Sequence, residues 1–262
     1  MADLAFYQYG FVGLIFVWSG FVRSGLGFGG AVLSLPFLLL VLDDPLIFLP
    51  LIAVHLLVFS SLTIWMNNRK SSRMNDQGRA TAGTVDWRYL WRILGIMIVP
   101  KLIGVFGLIT LPSDVMTLII FAIVAVYSVS YILDRPFRSG RRAVDVVFLM
   151  LGGYVSGTSL IGAPLIIAVV AQHLPKEKLR DTLFALWFIL VTIKMAAFVW
   201  LDIDLQLIHH LWLLPCAAVG HVIGLYAHDR ILRAETPVFF RVLGSVLLVV
   251  SSIGAIQVLA SA

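Results

Sequence analysis

The sequence predicts an all-helical protein that crosses a membrane many times, in two inverted four-segment repeats that each begin with a glycine-broken re-entrant hairpin. Three observations lead there. The 262 residues are 60% hydrophobic and only 13% charged, where soluble chains carry about a quarter charged residues. Six uninterrupted apolar segments are each close to the roughly 20 residues that a helix needs to cross a bilayer. Two further apolar segments are interrupted by small residues in matching ways.

In chain order the first segment, 9–42, is broken by Gly25-Leu26-Gly27-Phe28-Gly29-Gly30, and uninterrupted segments follow at 46–66, 89–109 and 114–133. The second broken segment, 144–172, is interrupted by Ser156-Gly157-Thr158-Ser159-Leu160-Ile161-Gly162-Ala163-Pro164, and segments at 181–200, 206–228 and 237–259 follow it. Each break leaves limbs of about a dozen residues, too short to cross separately. Ser24-Gly25 followed by Gly30-Ala31 recurs as Ser156-Gly157 followed by Gly162-Ala163, which sets repeat A at about 8–133 and repeat B at about 144–260. A weaker match lays Pro100-Lys101-Leu102-Ile103-Gly104 on Gly220-His221-Val222-Ile223-Gly224. The longest polar stretch, Asn67 to Arg88, is too short for a domain and reads as a loop.

Charge fixes the expected topology. If each broken segment returns to the side it entered from, the loops at 67–88, 134–143, 173–181 and 229–236 share one side. With Arg92 and Arg241, that side holds all but three of the 19 Lys and Arg residues. The other side carries Asp3, Asp43, Asp44, Asp114, Asp202 and Asp204. Basic loops stay in the cytoplasm, so both termini are expected outside. Three full crossings per half give the halves opposite orientation, the plan of many secondary transporters. Before Arg23 the chain has no basic residue and no small-x-small cleavage site, so the first apolar segment is expected to be retained.

The three cations outside those loops are Arg23, Lys101 and Lys194. Each costs roughly 2.5–3.5 kcal/mol at the centre of a membrane helix, and no carboxylate lies comparably deep in the sequence. A small anion passing between them would account for their retention. The limb after each break is expected to start a helix, at about Ala31 and Ala163, and so to present unpaired N–H groups and a positive dipole end. Ser24, Gly25, Gly27, Gly29, Gly30, Ser156, Gly157, Thr158, Ser159 and Gly162 complete the candidate anion site with backbone and hydroxyl donors. Against this stand plainer roles: Lys194 snorkelling outward, Arg23 capping carbonyls freed at the break, the glycines merely permitting tight packing. His55 and His221 are mid-helix candidates for a proton relay, or interhelical hydrogen-bond partners.

Other classes are excluded on residues. A single Cys216 allows no disulfide within the chain and nothing forms a Cys/His metal site. Gly25-x-Gly27-x-x-Gly30 matches the dinucleotide fingerprint but lacks the strand and βαβ unit that it requires. An enzyme would want a nucleophile, a metal cluster or paired carboxylates, so no enzymatic activity and no cofactor are expected. The net charge of +5 resides in loops, and nucleic acid is not an expected partner. Expected partners are a small anion and the lipid bilayer, with a homodimer left open.

At the two breaks the chain resembles the sulfite exporter TauE/SafE family of membrane permeases. Ser24-Gly25-Leu26-Gly27-Phe28-Gly29-Gly30-Ala31 with Pro36, and Ser156 through Pro164, carry the resemblance, together with length and the four-plus-four layout. It departs where Ser159 and Leu160 stand at positions where glycines are common in the family. The resemblance implies export of sulfur-containing anions such as sulfite or an organosulfonate, across what would be a bacterial inner membrane. The residues themselves leave open a carrier working by alternating access around two opposed hairpin tips, a passive anion channel, or a permease for another small anion such as a carboxylate.

Overall fold

The computed structural model describes residues 4–26, 29–75, 85–135, 137, 140–233 and 237–261. These form ten helices and no strand among the described residues: α1 (Phe6–Leu26), α2 (Leu35–Val41), α3 (Pro45–Asn75), α4 (Trp87–Thr110), α5 (Ser113–Ile132), α6 (Arg142–Ser159), α7 (Ala163–His173), α8 (Lys176–Trp200), α9 (Leu207–Arg233) and α10 (Pro237–Ser261). Among the described residues, six stretches are long and apolar enough to cross a membrane: Pro45–Met66, Trp87–Thr110, Ser113–Ile132, Lys178–Trp200, Leu207–Ala227 and Phe240–Ala260. They coincide with the six uninterrupted segments read from the sequence.

Local chemistry sets the helix starts. Pro45 opens α3, where a missing N–H costs nothing, and the Asp44 carboxylate accepts from Leu46 N–H at 2.9 Å. Asp86 caps α4 by accepting from Tyr89 N–H at 3.1 Å, and its own N–H donates to Thr182 Oγ1 on α8 at 2.9 Å. Pro50, Pro100 and Pro215 lie inside α3, α4 and α9, a placement that membrane helices tolerate because neighbours re-satisfy the freed backbone.

Both broken segments fold back on themselves. Near the open end of the second, Asp145 of α6 meets His173 at the end of α7, at 3.4 Å. Along its length, a Cβ on Gly152 would lie 2.6 Å from the Ile166 side chain. In the first, Gly29 turns the chain at φ +85°, and Ser34 ties the returning backbone to Gly30 O and, at 3.4 Å, to Ser19 Oγ of α1. One expectation needs correction here. The returning limb does not begin its helix at Ala31: residues 30–34 form hydrogen-bonded turns and α2 starts at Leu35, with Pro36 in its first turn. Ser19 and Ser34 hold that turned stretch through Gly30 O, which delays the helix by about one turn. The limbs are also unequal, because α1 and α6 run 21 and 18 residues while α2 and α7 run 7 and 11.

The principal packing pairs are α1 with α9, α4 with α6, α5 with α10 and α3 with α8. Exchanging α1–α5 with α6–α10 maps this set onto itself. At the mouth of the bundle, Lys178 sits 3.9 Å from Asp86 and Arg241 3.8 Å from Asp134. Tyr89 stacks on His173 at 6.0 Å. The starts of α4, α6 and α8 thus gather with the end of α7, and the start of α10 meets the end of α5.

Candidate functional site

The two breaks meet at a small cavity. Its lining comes from Arg23 of α1, Gly29, Gly30, Ala31 and Val32 of the first break, and Ser156, Leu160 and Ala163 of the second. Leu56 of α3 and Phe184, Trp187, Leu190 and Val191 of α8 close the remaining walls. The cavity encloses about 30 Å³, room for a water or two at about 10–15 Å³ each.

Arg23 is the cation of this cavity. Its side chain is 4% exposed. Nη1 donates to the His55 carbonyl at 3.4 Å, and the guanidinium lies 4.4 Å from the centre of the Phe59 ring. Nη2 has no hydrogen-bond partner among the described residues. An arginine held by a carbonyl and a ring face, with one buried N–H group left over, is a site short of an acceptor. Ala163, where α7 begins, lines the same cavity, with Pro164 in the first turn, so the helix start with its orphan N–H groups is at the cavity.

The other two deep cations have different surroundings. Lys101 is fully buried, and Nζ donates to Ser156 O at 2.9 Å and Ser156 Oγ at 3.1 Å. Lys194, also fully buried, donates to Thr158 O at 3.2 Å. Both lysines therefore cap carbonyls at the C-terminal end of α6, where the helix dipole favours positive charge. Neither lines the cavity, although Lys101 grips Ser156, which does. Lys194 does not snorkel.

The remaining candidates divide similarly. Thr158 and Ser159 hydroxyls both donate back to Val155 O, at 3.1 and 3.0 Å. Ser24 Oγ is hydrogen-bonded to His221 Nδ1 of α9. Gly25 lies against α9, 3.0 Å from a Cβ built on Gly224, and Gly157 lies against α4, where its own Cβ would come within 2.9 Å of Gly104 Cα. Gly162 is pressed onto α6, its Cβ 3.0 Å from Ser156 N. Gly27 lies outside the described residues. The weak match between 100–104 and 220–224 acquires a counterpart here: Lys101 bonds the serine of one break and His221 the serine of the other.

Three participants escaped the sequence reading. Arg180, counted with a loop, reaches Ser24 O with Nη2 at 3.1 Å. His210, in the first turn of α9, is 6% exposed with its ring 5.3 Å from His55. Asp181 is only 4% exposed although it lies near the start of α8. The spacing of Phe184, Trp187 and Val191 on one α8 face was the available signal for the cavity wall. Among the described residues no group of His, Cys, Asp and Glu could hold a metal ion.

A bundle of membrane-length helices, with two broken hairpins meeting at a buried arginine, defines a polytopic membrane protein organised around an internal site. Residues 12–254 match the family described as sulfite exporter TauE/SafE, and the chain belongs to that family of membrane transporters. No curated protein and no solved structure matches it.

Proposed function

We propose that the protein is a secondary transporter that exports small sulfur-containing anions, sulfite or an organosulfonate, by alternating access around the cavity between the two breaks. The observation that carries this reading is the buried Arg23 Nη2, without a partner among the described residues, in a cavity shared with the N-terminus of α7. An anion there would accept from the guanidinium and from first-turn amides at once, the pairing that makes helix starts anion sites. Phe184, Trp187 and Val191 face the same space and suit an apolar substituent better than a hydration shell. The self-mapping set of helix pairs supports reading the two halves as inverted repeats that rock against each other.

Family membership supports the sulfur-containing substrate; the geometry by itself supports any small anion, carboxylates included. With the basic loops in the cytoplasm and both termini outside, an inside-negative potential favours export by roughly 2.3 kcal/mol per charge per 100 mV. The cavity of about 30 Å³ is too small for an organosulfonate, so binding one requires the walls to part.

A thermal-shift screen in detergent tests this, with sulfite, alkanesulfonates, thiosulfate, carboxylates and chloride. Ligands that bind the folded state raise its apparent stability by mass action. The expected outcome is a rise of several degrees with sulfite or a sulfonate that Arg23→Gln removes. A rise with chloride and carboxylates only would overturn the substrate class, and a rise unchanged by Arg23→Gln would overturn the site.

A further inference from the structure

We propose that anion binding in this cavity is coupled to uptake of a proton by His221, so that the protein moves an anion and a proton together. The inference rests on the anion-binding reading above and adds to it the second species carried.

The two halves are asymmetric at the breaks. At matching positions on α4 and α9, Lys101 and His221 each bond the serine of a break, Ser156 and Ser24 respectively. One half thus has a lysine on its break serine, and the other a histidine, the side chain whose ordinary titration falls between pH about 5 and 8. His221 is 4% exposed, Nδ1 is engaged by Ser24, and Nε2 is buried without a partner among the described residues. Nε2 is the atom left to receive a proton.

The surroundings determine when it does so. From α1 the facing groups are Arg23 and Ser24, and the Phe59 ring of α3 contacts both His221, at 4.9 Å, and the Arg23 guanidinium, at 4.4 Å. From α3 comes also His55, whose ring stacks at 6.4 Å on Phe59. From α8, Arg180 reaches Ser24 O, with the buried Asp181 next in sequence. His210 of α9 stands beyond His55. Two permanent cations, Arg23 and Arg180, act on the His221 ring. An anion on Arg23 offsets one of them, and a proton on His221 strengthens the hold on that anion. Such coupling is reciprocal by thermodynamic necessity. A monoanion and one proton cross with no net charge, so the potential that favours export of a bare anion no longer acts on the pair and the anion and proton gradients set its direction.

His55 also has a buried Nε2 without a partner among the described residues, but its Nδ1 is committed to Leu51 O of its own helix at 2.6 Å rather than to a break serine, so it is the poorer carrier.

The test uses ethanesulfonate, whose own charge does not change in the range examined, bound to the full-length protein in detergent over about pH 5–8. Calorimetry in buffers of different ionisation enthalpy counts protons. The wild type is expected to lose affinity up to about tenfold per pH unit above the titration of His221 and to take up close to one proton per anion. His221→Gln and His221→Asn should flatten the slope to under about twofold and abolish uptake, while His55→Gln keeps both. Binding by the wild type with no slope and no proton uptake would overturn the coupling alone, whether or not the variants fold. A slope surviving in either His221 variant, or lost only in His55→Gln, would also overturn it. Absence of any anion binding would overturn the cavity reading, and this inference with it.

Discussion

Buried lysines are usually read as costly, yet Lys101 and Lys194 have the partners that lower the cost. Each donates to a carbonyl in the last turn of α6, where the helix dipole favours positive charge. Replacing Lys194 by Met removes a membrane-buried cation worth roughly 2.5–3.5 kcal/mol, and strips one donor from Thr158 O at a cost of about 1–3 kcal/mol. The two nearly cancel, so Lys194→Met should leave the melting temperature within a few degrees of wild type. Lys101→Met should be similarly stable but bind anions more weakly, because Ser156 loses its anchor in the cavity wall. Melting curves with and without ligand check both. Leu160 carries a different balance. It sits at φ +61°, the left-handed conformation that ends α6, costing about 1–2 kcal/mol for a residue with a Cβ. That is the physical reason a glycine suits this position. Its side chain is 8% exposed and lines the cavity, and removing a buried leucine costs about 2–5 kcal/mol. The burial wins: Leu160→Gly should lower stability by about 1–3 kcal/mol in a denaturation series despite the relieved backbone.

Helix pairs are held at close range by missing side chains. A Cβ on Gly224 would sit 2.9 Å from Ser24 Cβ and 3.0 Å from Gly25 N, and one on Gly157 2.9 Å from Gly104 Cα. These contacts are with Cβ and backbone atoms, so nothing flexible can yield. Gly224→Ala and Gly157→Ala should each cost about 1–3 kcal/mol by overpacking and reduce transport by moving a break. Gly95→Ala, with nothing within 4 Å of the new Cβ, should do neither; flux and melting temperature of the three variants decide. At this scale much of the fold was legible. Six apolar runs of bilayer length are visible to within a few residues at most ends, and Pro164 with Gly162 marked the start of α7 correctly. The start of α2 was not legible, because Ser19 and Ser34, 15 residues apart, jointly hold the turn through Gly30 O. The site was legible in part for the same reason. Arg23 and the glycines were visible as departures from apolar composition, whereas Arg180 and His210 take their meaning from helices packed beside theirs, which no local pattern records.

For the whole molecule, charge placement makes the sharpest prediction. The basic loops are expected in the cytoplasm and both termini outside. Cys216 is the only cysteine, so a Cys216→Ala background supports single-cysteine labelling. Gly140→Cys and Asp202→Cys, both at exposed positions, should react with an impermeant reagent from opposite sides, Asp202→Cys in intact cells and Gly140→Cys only after lysis. Labelling of both from outside would break the hairpin topology.

The central claim is that Arg23 and the second break together hold a transported anion. Its most direct measurement is uptake of radiolabelled sulfite or ethanesulfonate into proteoliposomes, comparing wild type with Arg23→Gln at equal reconstitution. The account predicts saturable uptake that exceeds protein-free vesicles, shows trans-stimulation, and falls at least about tenfold in Arg23→Gln, the loss expected when a charge-assisted hydrogen bond of about 1.5–3 kcal/mol is removed. Uptake by Arg23→Gln equal to wild type would contradict it.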